Sequence, residues 1–96
     1  MKPSAILSDK KAIVRELIAR SRATNPRMFG SVVRGDDTED SDLDLLVDAL
    51  PGTTLFDLGG LQDELEAALG VRVDVRTPGD LPERIRAQVL EEAKPL

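Results

Sequence analysis

Two apolar runs flank a polar stretch in the first half of the chain. Arg27-Met28-Phe29 leads into Gly30-Ser31, and after ten intervening residues Asp42-Leu43-Asp44 opens the run Leu45-Leu46-Val47. A buried strand that starts with two carboxylates one residue apart projects both from the same face, so its acidic end needs solvent or a cation beside it. The preceding glycine and serine, placed between a short strand and a helical turn, leave backbone N–H groups free for an anion. No other stretch restricts the fold as tightly.

Around this run the chain divides into alternating elements. Ser8 is a candidate N-cap for a first helix that places Ile13, Val14, Leu17 and Ile18 on one side and stops at Asn25-Pro26. Arg27–Phe29 is predicted as a short strand, Gly30 as a tight turn, Ser31–Arg34 as one helical turn, and Gly35–Ser41 as a polar loop. The strand Asp42–Val47 is bounded by Pro51-Gly52. Leu58, Leu61, Leu65 and Leu69 carry a further helix, and Gly70 sits where a left-handed C-cap residue belongs. In Val71–Arg76 the valines alternate with charges, which directs them to the core and Asp74 the other way. A last helix with Pro82 in its first turn runs through Ile85, Val89 and Leu90 to Lys94-Pro95. No repeat or linker interrupts this order, and residues 1–96 are expected to form one domain of the α/β (α+β) class, with helices layered on a small sheet.

Composition removes several chemistries. The chain has no cysteine and no histidine, so disulfides, thiolate metal sites and imidazole bases are excluded, and acid–base or metal work falls to carboxylates. The start Met1-Lys2-Pro3-Ser4 lacks an apolar signal core, and no apolar run approaches the roughly 20 residues of a membrane span, so a soluble cytoplasmic protein is expected. A net charge of −5 without tryptophan or tyrosine argues against direct nucleic-acid binding and favours a basic protein partner.

Each candidate residue has a plain structural reading beside the chemical one. Asp42 and Asp44 repel by about 3 kcal/mol at roughly 6 Å and an effective dielectric near 20. Water offsets this at an open surface, and Mg²⁺ does so in a phosphate-binding cleft. A calcium loop of the EF-hand type is excluded, because Leu45 stands where that loop needs glycine and Pro51 where it needs glutamate. Gly30-Ser31 is either a phosphate cradle or a common turn. Arg34 either faces a triphosphate or balances the acidic loop, and Ser41 is read as a hydroxyl that caps local backbone. Asp74 either lies beside Asp42 and Asp44, so that three carboxylates converge on two metals, or forms a surface ion pair with the flanking Arg72 and Arg76.

Met28-Phe29-Gly30-Ser31-Val32-Val33-Arg34-Gly35 followed by Ser41-Asp42-Leu43-Asp44-Leu45-Leu46-Val47 closely resembles the minimal nucleotidyltransferases of the DNA polymerase beta superfamily. Val73-Asp74-Val75-Arg76-Thr77-Pro78 and the ending from Ile85 to Leu96 are also similar to that family. The resemblance implies a small mixed sheet with helices packed mainly on one face. It implies an antitoxin paired with a HEPN-type ribonuclease toxin in a hetero-oligomer, transferring AMP from ATP to a tyrosine of the toxin. In this reading Gly30, Ser31 and Arg34 bind the nucleotide. Asp42, Asp44 and Asp74 form the catalytic metal site for two Mg²⁺ ions, with Mn²⁺ as a substitute. Relatives often have a basic residue where Val32 stands and alanine where Val33 stands. The alternative function is an antitoxin that neutralises its toxin by binding alone. An enzyme acting on a small molecule such as an aminoglycoside is disfavoured, since no second domain is available to build an acceptor pocket.

Overall fold

The computed structural model describes residues 1–96, in which four strands form one mixed sheet of order β3-β2-β1-β4. Strand β2 (Leu43–Ala49) is central. It runs antiparallel to β1 (Ala23–Phe29) and parallel to β3 (Val73–Arg76), while β4 (Lys94–Pro95) adds to the far side of β1. Helix α1 (Pro3–Ala19) precedes β1, α2 (Ser31–Arg34) is the single turn after Gly30, α3 (Leu55–Leu69) links β2 to β3, and α4 (Glu83–Glu92) follows a 3-10 turn at Pro78–Asp80.

The central strand is apolar on both faces, and this sorts the helices. Leu43, Leu45 and Val47 pack with Leu7, Val14 and Ile18 of α1 and with Leu61, Leu65 and Leu69 of α3. Leu46 points to the opposite face, where a smaller cluster joins it to Phe29, Leu81 and Val89. Two helices therefore cover one face, and α4 covers only part of the other. Asp44 shares the Leu46 face by strand alternation, beyond the part α4 closes.

Helix α3 matches its leucine spacing and carries its own end signals. Thr54 and Asp57 form a reciprocal capping box, and Gly70 closes the helix at φ 73. Its side chains also finish the sheet: Val73 N–H donates to Glu66 Oε2 and Val75 N–H to Gln62 Oε1, both at 3.1 Å. The outer edge of β3 is thereby bonded rather than left open for another chain.

Several boundaries differ from the sequence expectation: β1 begins at Ala23 rather than Arg27, β2 spans Leu43–Ala49 rather than Asp42–Val47, and β3 begins at Val73 rather than Val71. Ser8 is not an N-cap, because Pro3 already occupies the first turn of α1 with Lys2 as the cap, and the one irregular residue inside is Lys10 (φ −119, ψ 25). Asn25-Pro26 does not stop the first helix, which ends at Ala19; the pair lies within β1 as a bulge. Asn25 takes a positive φ of 53 there, and Asn25 Nδ2 and Arg27 Nη2 donate to Asp48 at 2.9 and 3.1 Å. Proline, lacking an N–H, is tolerated at such a bulge. Lys94-Pro95 does not end the last helix but pairs with Met28 and Arg27. No helix is long and apolar enough to cross a membrane.

Leu45 is fully buried at the centre of the sheet, whereas Ile85 of α4 is 36% exposed. Leu45→Ala is expected to lower stability by about 2–5 kcal/mol and Ile85→Ala by less than about 1 kcal/mol. Urea unfolding checks this, and equal losses would contradict the packing described.

Candidate active site

The register of β2 and β3 builds the site. In their parallel pairing Asp44 lies directly beside Asp74, flanked by Leu43 beside Val73 and Leu45 beside Val75. The valines are buried as their alternation predicts, and Asp74 emerges half-buried on the opposite face. Asp42 stands one residue before β2, where the polar loop ends.

Gly30 closes on the same point from β1. It turns the chain at φ 77 and ψ −150 between Phe29 and α2, a conformation that L side chains rarely adopt. A Cβ added there would collide with the Asp44 carboxylate, so glycine is required by both the turn and the close approach. Val33 and Arg34 N–H bond back to the Gly30 carbonyl at 3.1 and 3.2 Å. The amides of Ser31 and Val32, at the opening of the turn, have no carbonyl of that turn to accept them. Arg34, 51% exposed, stands 3.6 Å from Asp36 in an ion pair.

The carboxylates differ in their surroundings. Burial foremost, then the negative charges of Asp74 and Asp42, push the Asp44 carboxyl up to about 6, against the opposing pull of Arg76 and Arg34. Asp74 accepts a hydrogen bond from Arg76 Nε at 2.9 Å. Asp42 Oδ1 has Arg72 Nε within 3.0 Å, yet it is shielded from water and has no hydrogen-bond partner. Asp74 is thus both the neighbour of Asp44 and half of a surface ion pair.

As they stand, the side chains do not gather into a set of three acids that could hold an ion. The donor set nevertheless suits a hard divalent cation. One shielded oxygen of Asp42 meets Arg72 in an ion pair but makes no hydrogen bond, and the Asp44 carboxyl stands in excess negative charge close against the Gly30 turn. Asp42 and Asp44 are the residues that would bind it, with Asp74 adjacent once Arg76 releases it.

Other residues hold this arrangement in place. The Ser41 hydroxyl accepts the Thr38 N–H at 2.8 Å, which makes it the local backbone cap its position suggests. Sequence reading passed over Gln62 and Glu66, which pin β3, and Asp37, a buried carboxylate that accepts the Ser4 N–H. Their partners lie 13, 7 and 33 residues away respectively, so no local pattern announces them. A groove of about 970 Å³ between α1 and α3 contains none of the candidate residues. It lies against the helix-covered side of the sheet and has no part in this site.

The sequence profile of the nucleotidyltransferase domain matches residues 10–96. The chain belongs to the nucleotidyltransferase family. The protein adenylyltransferase MntA of Thermococcus cleftensis is 41% identical over 78 residues, which cover 81% of this chain and 79% of that protein. A solved structure described as a minimal nucleotidyltransferase superposes with a TM-score of 0.85 at 48% identity, covering 97% of this chain and 95% of the other. The fold also matches a chain from the complex of tri-AMPylated Shewanella oneidensis HEPN toxin with MNT antitoxin, with a TM-score of 0.64 at 20% identity over 96% of this chain and 70% of that one. The mixed sheet with helices mainly on one face is the fold of these minimal nucleotidyltransferases.

The charge at Asp44 makes this nucleotidyltransferase domain sensitive to pH without any ligand. A carboxyl raised to about 6 in the folded protein adds full stability below its ordinary value of 3.8 and loses it as pH rises through 6. Asp44→Asn removes the penalty carried at neutral pH. The variant is expected to be more stable than wild type at pH 7 by about 1–2 kcal/mol, after allowing for the solvent that reaches the site, and the gain should vanish near pH 4. Urea unfolding at both pH values checks the sign; a difference independent of pH would contradict it.

Proposed function

We propose that this protein is an antitoxin that transfers AMP from ATP to a tyrosine hydroxyl of a partner HEPN-type ribonuclease toxin and so silences it. The observation that carries the reading is the pairing of Asp44 beside Asp74 beneath the Gly30 turn, with Asp42 one residue before β2. The adenylyltransferase name of the Thermococcus relative and the AMPylated toxin in the Shewanella complex support it. A net charge of −5 favours a protein partner over direct contact with nucleic acid.

Each residue has a defined task in this reaction. Gly30 admits the triphosphate against the backbone, and the Ser31 hydroxyl with the amides of its turn donates to phosphate oxygens. Arg34 leaves Asp36 to face the same charge. Asp42 and Asp44 hold Mg²⁺, with Mn²⁺ as a substitute; when bound, the ions neutralise the phosphates and acidify the attacking hydroxyl. Asp74 accepts the tyrosine proton. The tyrosine oxygen bonds to the α-phosphorus as the bond to the bridging oxygen breaks, and pyrophosphate leaves in line. Catalysis consists mainly of positioning and charge neutralisation. A nucleotide added to a tyrosine near the ribonuclease site places bulk and negative charge where the toxin must bind RNA.

Purified partner toxin mixed with this protein, ATP and Mg²⁺ is expected to gain mass in AMP units. Asp42→Asn should slow the gain by at least about 100-fold, and EDTA should stop it until Mg²⁺ is restored. The other reading, neutralisation by binding alone, takes over if wild type and Asp42→Asn silence the toxin equally with no change in its mass.

Ser31→Ala tests the nucleotide cradle separately. Loss of one hydrogen bond to a charged group is worth about 1.5–3 kcal/mol, so the apparent ATP affinity should fall by about 10- to 150-fold while Gly30 and its amides retain some binding. An unchanged affinity assigns Ser31 a purely structural role.

A further inference from the structure

Asp37 is the one polar or charged residue among those fully buried, 5% exposed in the loop between α2 and β2. A carboxylate buried in so small a domain needs a strong partner. Its Oδ2 accepts the N–H of Ser4 at 2.9 Å, 33 residues away. Helix α1 lacks a side-chain cap of its own: Lys2 supplies none, Pro3 has no N–H, and the Ala5 and Ile6 amides are already bonded to the Lys2 carbonyl. Ser4 therefore carries the orphan donor of the first turn, and a residue from the loop satisfies it. The Ser4 amide foremost holds the Asp37 carboxyl below the usual carboxylate range against the opposing effect of burial. A weaker contact, the Met1 amine 3.9 Å from Glu39, lies on the exposed side of the same junction.

The other hydrogen bonds of this loop are local. Asp36 N–H bonds back to the Ser31 carbonyl at 3.1 Å, and Ser41 N–H returns to the Thr38 carbonyl at 3.1 Å. Asp42 follows immediately, ahead of β2, and its ion-pair partner Arg72 has a side chain 79% exposed. Of the hydrogen bonds this loop makes, only the part-buried one between Asp37 and Ser4 reaches a distant part of the fold.

We propose that Asp37 is a positioning residue: by capping the first turn of α1 it fixes the loop between Ser31 and Asp42, and so sets where the Asp42 carboxylate stands relative to the Gly30 turn. This rests on the reading of Asp42 as a metal-binding residue. Asp37 acts through the loop and touches neither nucleotide nor metal.

The test uses the full chain with Asp37→Ala, Asp37→Asn, Ser4→Pro and the double variant Asp37→Ala/Ser4→Pro. Proline within the first helical turn keeps the helix and deletes the donor, so Ser4→Pro breaks the same bond from the other side. The first readout is Mn²⁺ binding measured directly by calorimetry, and the second is hydrogen exchange of the Thr38–Leu43 amides. Both are independent of transfer. Asp37→Ala and Ser4→Pro are each expected to weaken Mn²⁺ binding by about 10- to 100-fold and to speed exchange across the loop. The double variant should be no worse than either single one. Asp37→Asn, which keeps an acceptor oxygen, should recover most of the affinity. With ATP and the partner toxin, the loss should fall on kcat more than on the KM for ATP, because Gly30 and Ser31 lie on the other side of the loop.

Folded Asp37→Ala and Ser4→Pro proteins with Mn²⁺ affinity within about twofold of wild type would overturn the proposal and leave Asp37 a helix cap alone. Additive losses in the double variant would overturn it as well. If wild type binds Mn²⁺ but moves no nucleotide, the transfer reading fails while the Mn²⁺ comparison still decides the role of Asp37. A wild-type protein that binds no Mn²⁺ overturns the positioning of a metal ligand outright.

Discussion

Two carboxylates side by side on neighbouring parallel strands are the constraint around which this domain is built. A parallel ladder in this register sets Asp44 against Asp74, and like charges placed directly opposite are unfavourable in any sheet. The fold sustains the pair because the residues on either side of Asp44 in β2 are apolar and closely packed. Leu43, Leu45, Leu46 and Val47 are all fully buried, two helices lie against one face, and α4 with the turn before it seals part of the other. The excess charge is confined to the end of the strand that α4 leaves open, where Arg72, Arg76 and solvent moderate it.

The opposing wall of the site follows from a steric fact. Gly30 approaches the Asp44 carboxylate so closely that no side chain could stand between them, and its positive φ turns β1 directly into α2. That one residue brings the amides of a helical turn onto the acidic strand end. The amides of the turn can donate to a phosphate, but the pair of carboxylates acting alone would repel a polyanion. In the proposed function, hard cations between the two would reconcile them in a chain that has no histidine and no cysteine.

Much of this was legible from local pattern. The leucines of α3 recur at helical spacing, Gly70 ends that helix in the left-handed region, and the strict alternation of Val73, Asp74 and Val75 is that of a half-buried strand. The Gly30–Arg34 turn was equally clear. Boundaries set by distant contacts were not. Asn25-Pro26 has the composition of a helix stop, yet Asp48 from the adjoining strand holds it as a bulge within β1. Lys94-Pro95 has almost no strand propensity and becomes β4 because the edge of β1 is available to pair with it. Ser8 is a good cap residue bypassed because Pro3 starts the helix a turn and a half earlier.

By itself the sequence determined the ingredients of the site: which strand ends in acid, where the backbone must turn tightly, and that carboxylates must do the work. Side-chain chemistry and short-range periodicity are properties of neighbouring residues, so they can be read along the chain. Tertiary structure alone decided that β3 lies parallel to β2 with Asp74 in register with Asp44, that Arg72 reaches Asp42, and that Asp37 is buried against Ser4. Those outcomes depend on how helices α1 and α3 pack against the sheet, and packing joins residues that no local pattern relates.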